Sequence, residues 1–238
     1  MDFRSIIYRI KRRFLKEKKL NDNAVIAIKI INAGMLHEGN NFLLDYGIKN
    51  APNKGAILEI GSFCGQSTSI ICYLIRKNNK TNTFFSCDKW DFEEKEFSNY
   101  SYLLNVPYNN YRKFVKDSFI RNLNFLGGLQ KPYAIESFSD EFFELWNKQI
   151  KTTDVFAREC QLGGSISFAF IDGNHTYEFV KKDFENVNKN LLRDGFILFD
   201  DSADHWNFGS SKFMKEMKNN KDYVIVFKNP NYLFKKIV

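Results

Sequence analysis

Cysteine is scarce, with four in 238 residues, at Cys64, Cys72, Cys87 and Cys160. They are too few and too scattered for a disulfide scaffold, and no C-x-x-C pair offers a thiolate zinc site. Proline (4) and glycine (13) are also sparse against 25 Phe, which excludes a collagen-like or disordered chain. No apolar run approaches the roughly 20 residues of a membrane-spanning helix. No secretory signal is recognisable, so a cytoplasmic location with reduced thiols is expected. There is no internal repeat and no low-complexity linker. What is present, 44% apolar and 26% charged, suits one globular domain with a sizeable core.

The net charge of +7 is unevenly spread. Eight of the 35 basic residues (Arg4, Arg9, Lys11, Arg12, Arg13, Lys16, Lys18, Lys19) lie in the first 20, against Asp2 and Glu17. The rest of the chain carries 27 basic and 26 acidic side chains, so basicity says little about the main domain's ligand. Within the arm, Phe3, Ile6, Ile7, Ile10 and Phe14 recur at helical spacing, with basic residues mostly on the other face. This pattern predicts a short amphipathic basic helix. One reading is peripheral contact with an anionic membrane surface through residues 1–20, at the inner face of the membrane. The alternative is a helix docked on its own domain or on a second subunit; a homo-oligomer is expected. Nucleic acid is not expected as a partner, because the remaining chain shows no basic stripe.

Residues 24–50 read as helix. Strands are predicted at 56–60, 83–87, 133–136, 166–171, 196–199, 223–227 and 232–237. Helices are predicted at about 66–77, 111–126, 139–150, 176–192 and 210–219. The first five strands are unbroken apolar runs, as in a parallel sheet covered on both faces. Strand–helix alternation predicts an open α/β sheet with right-handed crossovers. The short Asn229-Pro230-Asn231 turn makes the last two strands an antiparallel hairpin. The domain division is 1–33, a basic helical arm, and 34–238, the sheet domain. Ligands of such sheets bind beyond the carboxyl ends of the strands, and the informative residues fall there.

The first strand ends in Glu59-Ile60-Gly61-Ser62-Phe63-Cys64-Gly65-Gln66-Ser67-Thr68. Two glycines four apart let the backbone turn tightly and approach a ligand. The pattern is not G-x-G-x-x-G, so a nucleoside fits better than a pyrophosphate. Glu59 could fix a ligand ammonium; an ordinary strand-to-helix turn is the competing reading. Asp88 follows the second strand, 23 positions after Gly65, where an acid accepts from ribose hydroxyls. Ser137 and Phe138 follow the third strand and suit an adenine edge, though an N-cap Ser explains them equally well.

The strongest constellation joins the next two strands: Phe170-Ile171-Asp172-Gly173-Asn174-His175 and Phe199-Asp200-Asp201-Ser202. If these strands are neighbours, Asp172, Asp200 and Asp201 converge. Three close carboxylates repel one another unless a cation neutralises them. Oxygen-only ligation suits Mg²⁺, with Ca²⁺ or Mn²⁺ as alternatives. His175 stands three residues past Asp172, and a neutral imidazole is a suitable proton acceptor near neutral pH.

These motifs together resemble a class I S-adenosylmethionine-dependent methyltransferase, and more closely the metal-dependent branch that includes macrocin- and mycinamicin-type sugar O-methyltransferases. The resemblance covers about residues 34–238. It implies a Rossmann-like fold and S-adenosylmethionine as cofactor. Glu59, Gly61 and Gly65 should line its methionine end, with Ser62, Ser67 and Asp172 also against it. Asp88 should hold the ribose, and Ser137 and Phe138 the adenine. Asp172, Asp200 and Asp201 look like magnesium ligands. His175 looks like the base, with Asp172 beside it in the catalytic pair. The first loop departs from E-x-G-x-G-x-G in having Phe63 at the middle glycine.

The expected reaction is methylation of a hydroxyl on a sugar-like acceptor, such as a surface-glycan or nucleotide-sugar precursor. The aromatics Tyr100, Tyr102, Tyr108, Tyr111, His205, Trp206 and Phe208 are candidates to face it. A catechol-like acceptor is the alternative within the family. A nicotinamide-dependent oxidoreductase or a non-catalytic assembly protein is the alternative outside it.

Overall fold

The computed structural model describes residues 17–92, 106–128 and 131–238. The predicted arm helix over Phe3–Phe14, and Tyr100 and Tyr102, lie outside them. Nine strands are described: β1 (Ala56–Ile60), β2 (Phe84–Asp88), β3 (Tyr133–Glu136), β4 (Lys151–Thr153), β5 (Glu159–Gln161), β6 (Ile166–Ile171), β7 (Leu191–Phe199), β8 (Tyr223–Lys228) and β9 (Tyr232–Lys236). Among the described residues there are seven helices: α1 (Asn23–Ile31), α2 (Glu38–Asn50), α3 (Gln66–Lys77), α4 (Tyr108–Leu126), α5 (Ser139–Asn147), α6 (Tyr177–Asn190) and α7 (Gly209–Met217).

Seven strands form one sheet in the order β3-β2-β1-β6-β7-β9-β8. The first five are parallel, while β9 is antiparallel to both β7 and β8. The expected Rossmann-like sheet with an antiparallel C-terminal hairpin is therefore what forms. Alternate residues of the central strands supply two cores. Leu58, Ile60, Ala169, Ile171, Ile197 and Phe199 face α5, α6 and α7. Ile57, Phe168, Phe170 and Leu198 face α1 to α4. A strand buried on both faces needs apolar side chains at every position, which is why these runs do not alternate. The chain leaves β1 outward to β2 and β3, then returns to β6 on the other side. This reversal opens a crevice at the carboxyl ends of β1 and β6.

The structure differs from the prediction in three places. The helix expected over 24–50 is two helices. Asn32 leaves the helical path at φ −112°, ψ 120°, and its buried side chain bonds to Ser69 and Asn122 instead. His37 then starts α2, its Nδ1 accepting from Gly39 N at 3.0 Å. The unpredicted β4–β5 hairpin is closed by Asp154, which accepts from Phe156 N at 3.0 Å and Arg158 N at 2.9 Å. Finally, β7 begins five residues before the predicted 196, because Leu191 already pairs with Ile166.

Residues 17–33, read as part of the arm, pack on the sheet domain where described. Val25 and Ile28 enter the core, and Tyr73 donates to Asp22 Oδ2 at 2.9 Å.

Candidate active site

Gly61 turns the chain out of β1 with φ +84°, and a Cβ there would stand 2.0 Å from the Asp172 carbonyl oxygen. A side chain is excluded on both counts. The glycine thus has a packing role beyond the ligand approach expected of it. It lets the β1 and β6 ends close on each other, and Asp172 N donates to Ile60 O at 2.8 Å. Gly65, at φ +86°, lies so close to α4 that a Cβ would meet Leu123 at 2.5 Å.

Glu59 is fully buried. Its Oε2 accepts from Ser62 Oγ at 3.2 Å and Thr68 Oγ1 at 2.5 Å, and Ser67 also bonds to the carboxyl. Oε1 has no partner. Burial pushes this carboxyl up to about 7, against the pull of the three hydroxyls.

Asp88 stitches two loops together. Its Oδ2 accepts from Ser62 N at 2.7 Å and Phe63 N at 2.9 Å, and its Oδ1 from Trp90 N at 2.6 Å. Trp90 Nε1 closes the stitch on Phe63 O at 2.9 Å. Burial holds the Asp88 carboxyl above its ordinary range despite these three donors. Three of about four lone-pair directions are thereby used within the protein, and one on Oδ1 is left to a ligand.

After β3, Ser137 is buried, its carbonyl accepting from Cys87 Sγ at 3.3 Å. Phe138 is 46% exposed, with Lys89 Nζ 5.3 Å from its ring centre. A cavity of about 480 Å³ lies between β3, α5 and the β4–β5 hairpin. It includes Ser137 but no residue of the 59–65 or 172–175 loops, so it stands apart from the main constellation.

The acids after β6 and β7 do gather, as their neighbouring strands require. Burial first, then the charges of Asp200 and Asp201, raises the Asp172 carboxyl well above its usual range. Asp200 is buried, its Oδ1 accepting from Asn40 Nδ2 at 2.6 Å and Asn231 Nδ2 at 2.5 Å. Asp201, at φ +48°, lies 3.4 Å from His175 Nε2 through its Oδ2. Burial and the Asp200 charge push it up to about 6, with His175 opposing.

Among the described residues no group of three or more His, Cys, Asp or Glu side chains is arranged to hold a metal ion. Asp200 Oδ1 is turned to two amides, and Asp201 Oδ2 to His175. The donor set is still of the right kind: hard carboxylate oxygens, with Asp200 close enough to raise the proton affinity of both Asp172 and Asp201.

Aromatic rings border this cluster. The His175 ring lies 5.7 Å from Phe208, Phe208 lies 6.1 Å from Trp206, and Trp206 lies 5.8 Å from His37. His37, Asn40 and Asn231 join the site from α2 and the β8–β9 turn without having been singled out. Asn231 stood in a turn read only as a turn, and the Asn40-Asn41 pair in the first turn of a helix gave no chemical signal.

A family model described as "Methyltransferase domain" matches residues 58–202, which span Glu59 through Asp201. No curated protein matches the chain by sequence. Several solved structures share the fold. CalS11, a TDP-rhamnose 3'-O-methyltransferase in calicheamicin biosynthesis, is 14% identical over 96% of this chain and 92% of its own, with a TM-score of 0.56. The O-methyltransferase NovP is 13% identical over 84% of this chain and 79% of its own, at 0.51. Cofactor-bound Rv0187 from MTB is 12% identical over 97% and 95%, at 0.53.

Proposed function

The chain belongs to the methyltransferase-domain family, and from that premise we propose that it moves a methyl group from S-adenosylmethionine to a hydroxyl oxygen of a sugar-like acceptor. The observation that carries the reading is the meeting of two loops. Gly61 packs on the Asp172 carbonyl, so the turn that suits the donor borders the segment bearing the acid cluster and His175.

The donor supplies an electrophilic sulfonium methyl. Glu59 offers its unpaired Oε1 to the methionine ammonium, and Gly61, Ser62, Gly65 and Ser67 shape the turn around it. Asp88 accepts from the ribose through its remaining Oδ1 direction, and Ser137 and Phe138 flank the adenine. His175 takes the acceptor's proton, and Asp201, 3.4 Å from its Nε2, stabilises the imidazolium that forms. Asp172, buried beside them, helps orient the acceptor hydroxyl. Magnesium, held by Asp172, Asp200 and Asp201, would act as a Lewis acid that eases hydroxyl deprotonation. The remaining work is positioning of two reactants.

A sugar-like acceptor, a surface-glycan or nucleotide-sugar precursor, suits the Trp206 and Phe208 rings, which can stack on a sugar face, and agrees in kind with the CalS11 likeness. A catechol-like acceptor would stack there too. The family match leaves the nicotinamide alternative without support.

The test pairs a binding and a turnover measurement. S-adenosylhomocysteine at 100 times its Kd should add about 2.7 kcal/mol, raising Tm by roughly 5 °C or more, while NAD⁺ should not. Methyl transfer to a panel of nucleotide sugars should fall about 10² or more in kcat for His175→Ala, with S-adenosylhomocysteine binding unchanged. Absence of stabilisation at saturating ligand would end the cofactor reading. A loss under about tenfold would remove His175 as the base.

A further inference from the structure

The segment between α1 and α2 crosses from the donor side of the site to the acceptor side. Gln66, the first residue of α3, holds its start: Nε2 donates to Asn32 O at 2.6 Å, and a Cβ on Gly34 would stand 2.4 Å from the Gln66 side chain. Three residues on, the His37 ring meets Trp206 edge to face, with 5.8 Å between centres. In the first turn of α2, Asn40 N donates to His37 O at 2.9 Å, and Asn40 Nδ2 clamps Asp200 Oδ1 at 2.6 Å. The row of rings His37, Trp206, Phe208 and His175 therefore returns at both ends to one acid pair. It reaches Asp200 through Asn40 and Asp201 through His175. The rings rim the acid cluster and do not lead away from it.

His37 carries its proton at a defined atom. Nδ1 accepts from Gly39 N at 3.0 Å, a role only an unprotonated nitrogen fills, so the neutral ring holds its proton on Nε2. Among the described residues this is the one hydrogen bond made by the His37 side chain. The ring is half-buried, and Nε2 is not sealed from solvent. The rim thus ends in a one-way group: Nε2–H gives a hydrogen bond to an oxygen and cannot accept one.

The Trp206 and Phe208 rings stand between this donor and His175. An acceptor stacked on them, with its reacting hydroxyl at His175, meets His37 only through an oxygen on another of its edges. Catechol carries both oxygens on one edge, so it leaves Nε2–H facing carbon. A sugar ring carries hydroxyls around its whole periphery. A polar group that a ligand covers without pairing costs affinity, which is how such a donor rejects the wrong acceptor. We propose, resting on the methyl-transfer reading above, that His37 is a specificity-determining residue whose Nε2–H donates to a second oxygen of the acceptor. The acceptor is accordingly a polyol with hydroxyls on more than one edge.

The two ring nitrogens have two jobs, and two substitutions separate them. His37→Asn keeps an acceptor for the α2 cap, where Asn is among the best residues, and loses the far donor. His37→Gln puts an amide N–H near the Nε2 position and loses the short cap. Methyl transfer from S-adenosylmethionine is measured on the full chain with TDP-rhamnose, UDP-glucose and catechol as acceptors. On the nucleotide sugar that the parent turns over, kcat/KM should fall at least about fivefold in His37→Asn, mostly through KM, and return to within about twofold of the parent in His37→Gln. A residue that only caps the helix would give the reverse order. Among deoxy analogues of that sugar, one should lose about fivefold with the parent and nothing further with His37→Asn. His37→Asn matching the parent would overturn the proposal, as would a parent that methylates neither nucleotide sugar or prefers catechol to both. Thermal stabilisation by S-adenosylhomocysteine should be the same in all three proteins. If it persists while the acceptor results fail, the proposal alone has failed; if the parent lacks it, the methyl-transfer reading has failed first.

Discussion

Glu59 is an acid the fold has sealed in with hydroxyls on one oxygen and nothing on the other. A carboxylate deprived of water binds its proton more tightly, which is why it stands at about 7 rather than 4.5. Between those values the folded protein keeps a proton that the unfolded chain releases. Stability from this residue is therefore fully present below about pH 4.5 and is lost as pH rises toward 7, by on the order of 3 kcal/mol. Glu59→Gln stays neutral throughout, so its melting temperature should gain on the parent by several degrees between about pH 5 and pH 8. Parallel curves for the two proteins, measured without ligand, would mean that Glu59 ionises as freely in the fold as outside it. On the proposed reading, the donor's ammonium at Oε1 would supply the partner that the ionised form lacks.

At the scale of elements, the Asn32 segment decides how α1 meets the site. Its Nδ2 donates to Ser69 Oγ at 3.1 Å, its Oδ1 accepts from Asn122 Nδ2 at 2.6 Å, and its carbonyl accepts from Gln66 Nε2 at 2.6 Å. One side chain thus ties α1, α3 and α4 together in a buried position. Asn32→Ala leaves Ser69 and Asn122 each short of a partner and should cost about 2 kcal/mol in urea unfolding. Ala33→Ser, on the exposed neighbour, should stay within about 0.5 kcal/mol. A cost for Asn32→Ala no larger than that of Ala33→Ser would mean that the three helices are held by their apolar contacts alone.

This break also marks what a sequence can and cannot announce. The central strands were legible because burial on both faces leaves no polar position to obscure them. Asp172, Asp200 and Asp201 were legible because each falls within two residues of the end of such a strand, and His175 because it stands three residues past Asp172. The helix break was not, because Asn32 prefers to leave the helix only when Ser69 and Asn122 are there to receive it. Asn40 and Asn231 were hidden for the same reason. They reach Asp200 across 160 and 31 residues, and nothing local marks an amide as the clamp on a distant carboxylate. The β4–β5 hairpin, three residues a side, is too short to show a period, and its organiser Asp154 reads as any turn residue.

Across the whole molecule the charge is divided in space. The sequence as a whole is at +7, yet Asp172, Asp200 and Asp201 meet at one edge of the sheet, and the first draws its raised proton affinity partly from the other two. Like charges held this close favour any species that neutralises them, and there are two candidates, a proton and a divalent cation. The two compete for the same oxygens, which gives the last prediction its sign. Near about pH 8 Asp201, pushed up to about 6, is largely ionised, so Mg²⁺ added to EDTA-treated protein should raise Tm by a few degrees. Asp201 has its midpoint at about 6, and Asp172 is raised in the same direction. At about pH 5 a proton therefore already occupies Asp201, and the Mg²⁺ effect should shrink. NaCl at matched ionic strength controls for screening. Asp200→Asn should abolish the effect at both pH values, since its buried carboxylate, clamped by Asn40 and Asn231, is the fixed point around which the other two arrange. A rise of equal size at both pH values, or one that persists in Asp200→Asn, would place Mg²⁺ somewhere other than these three acids. Methyl transfer would then rest on His175 and the geometry of the two loops alone.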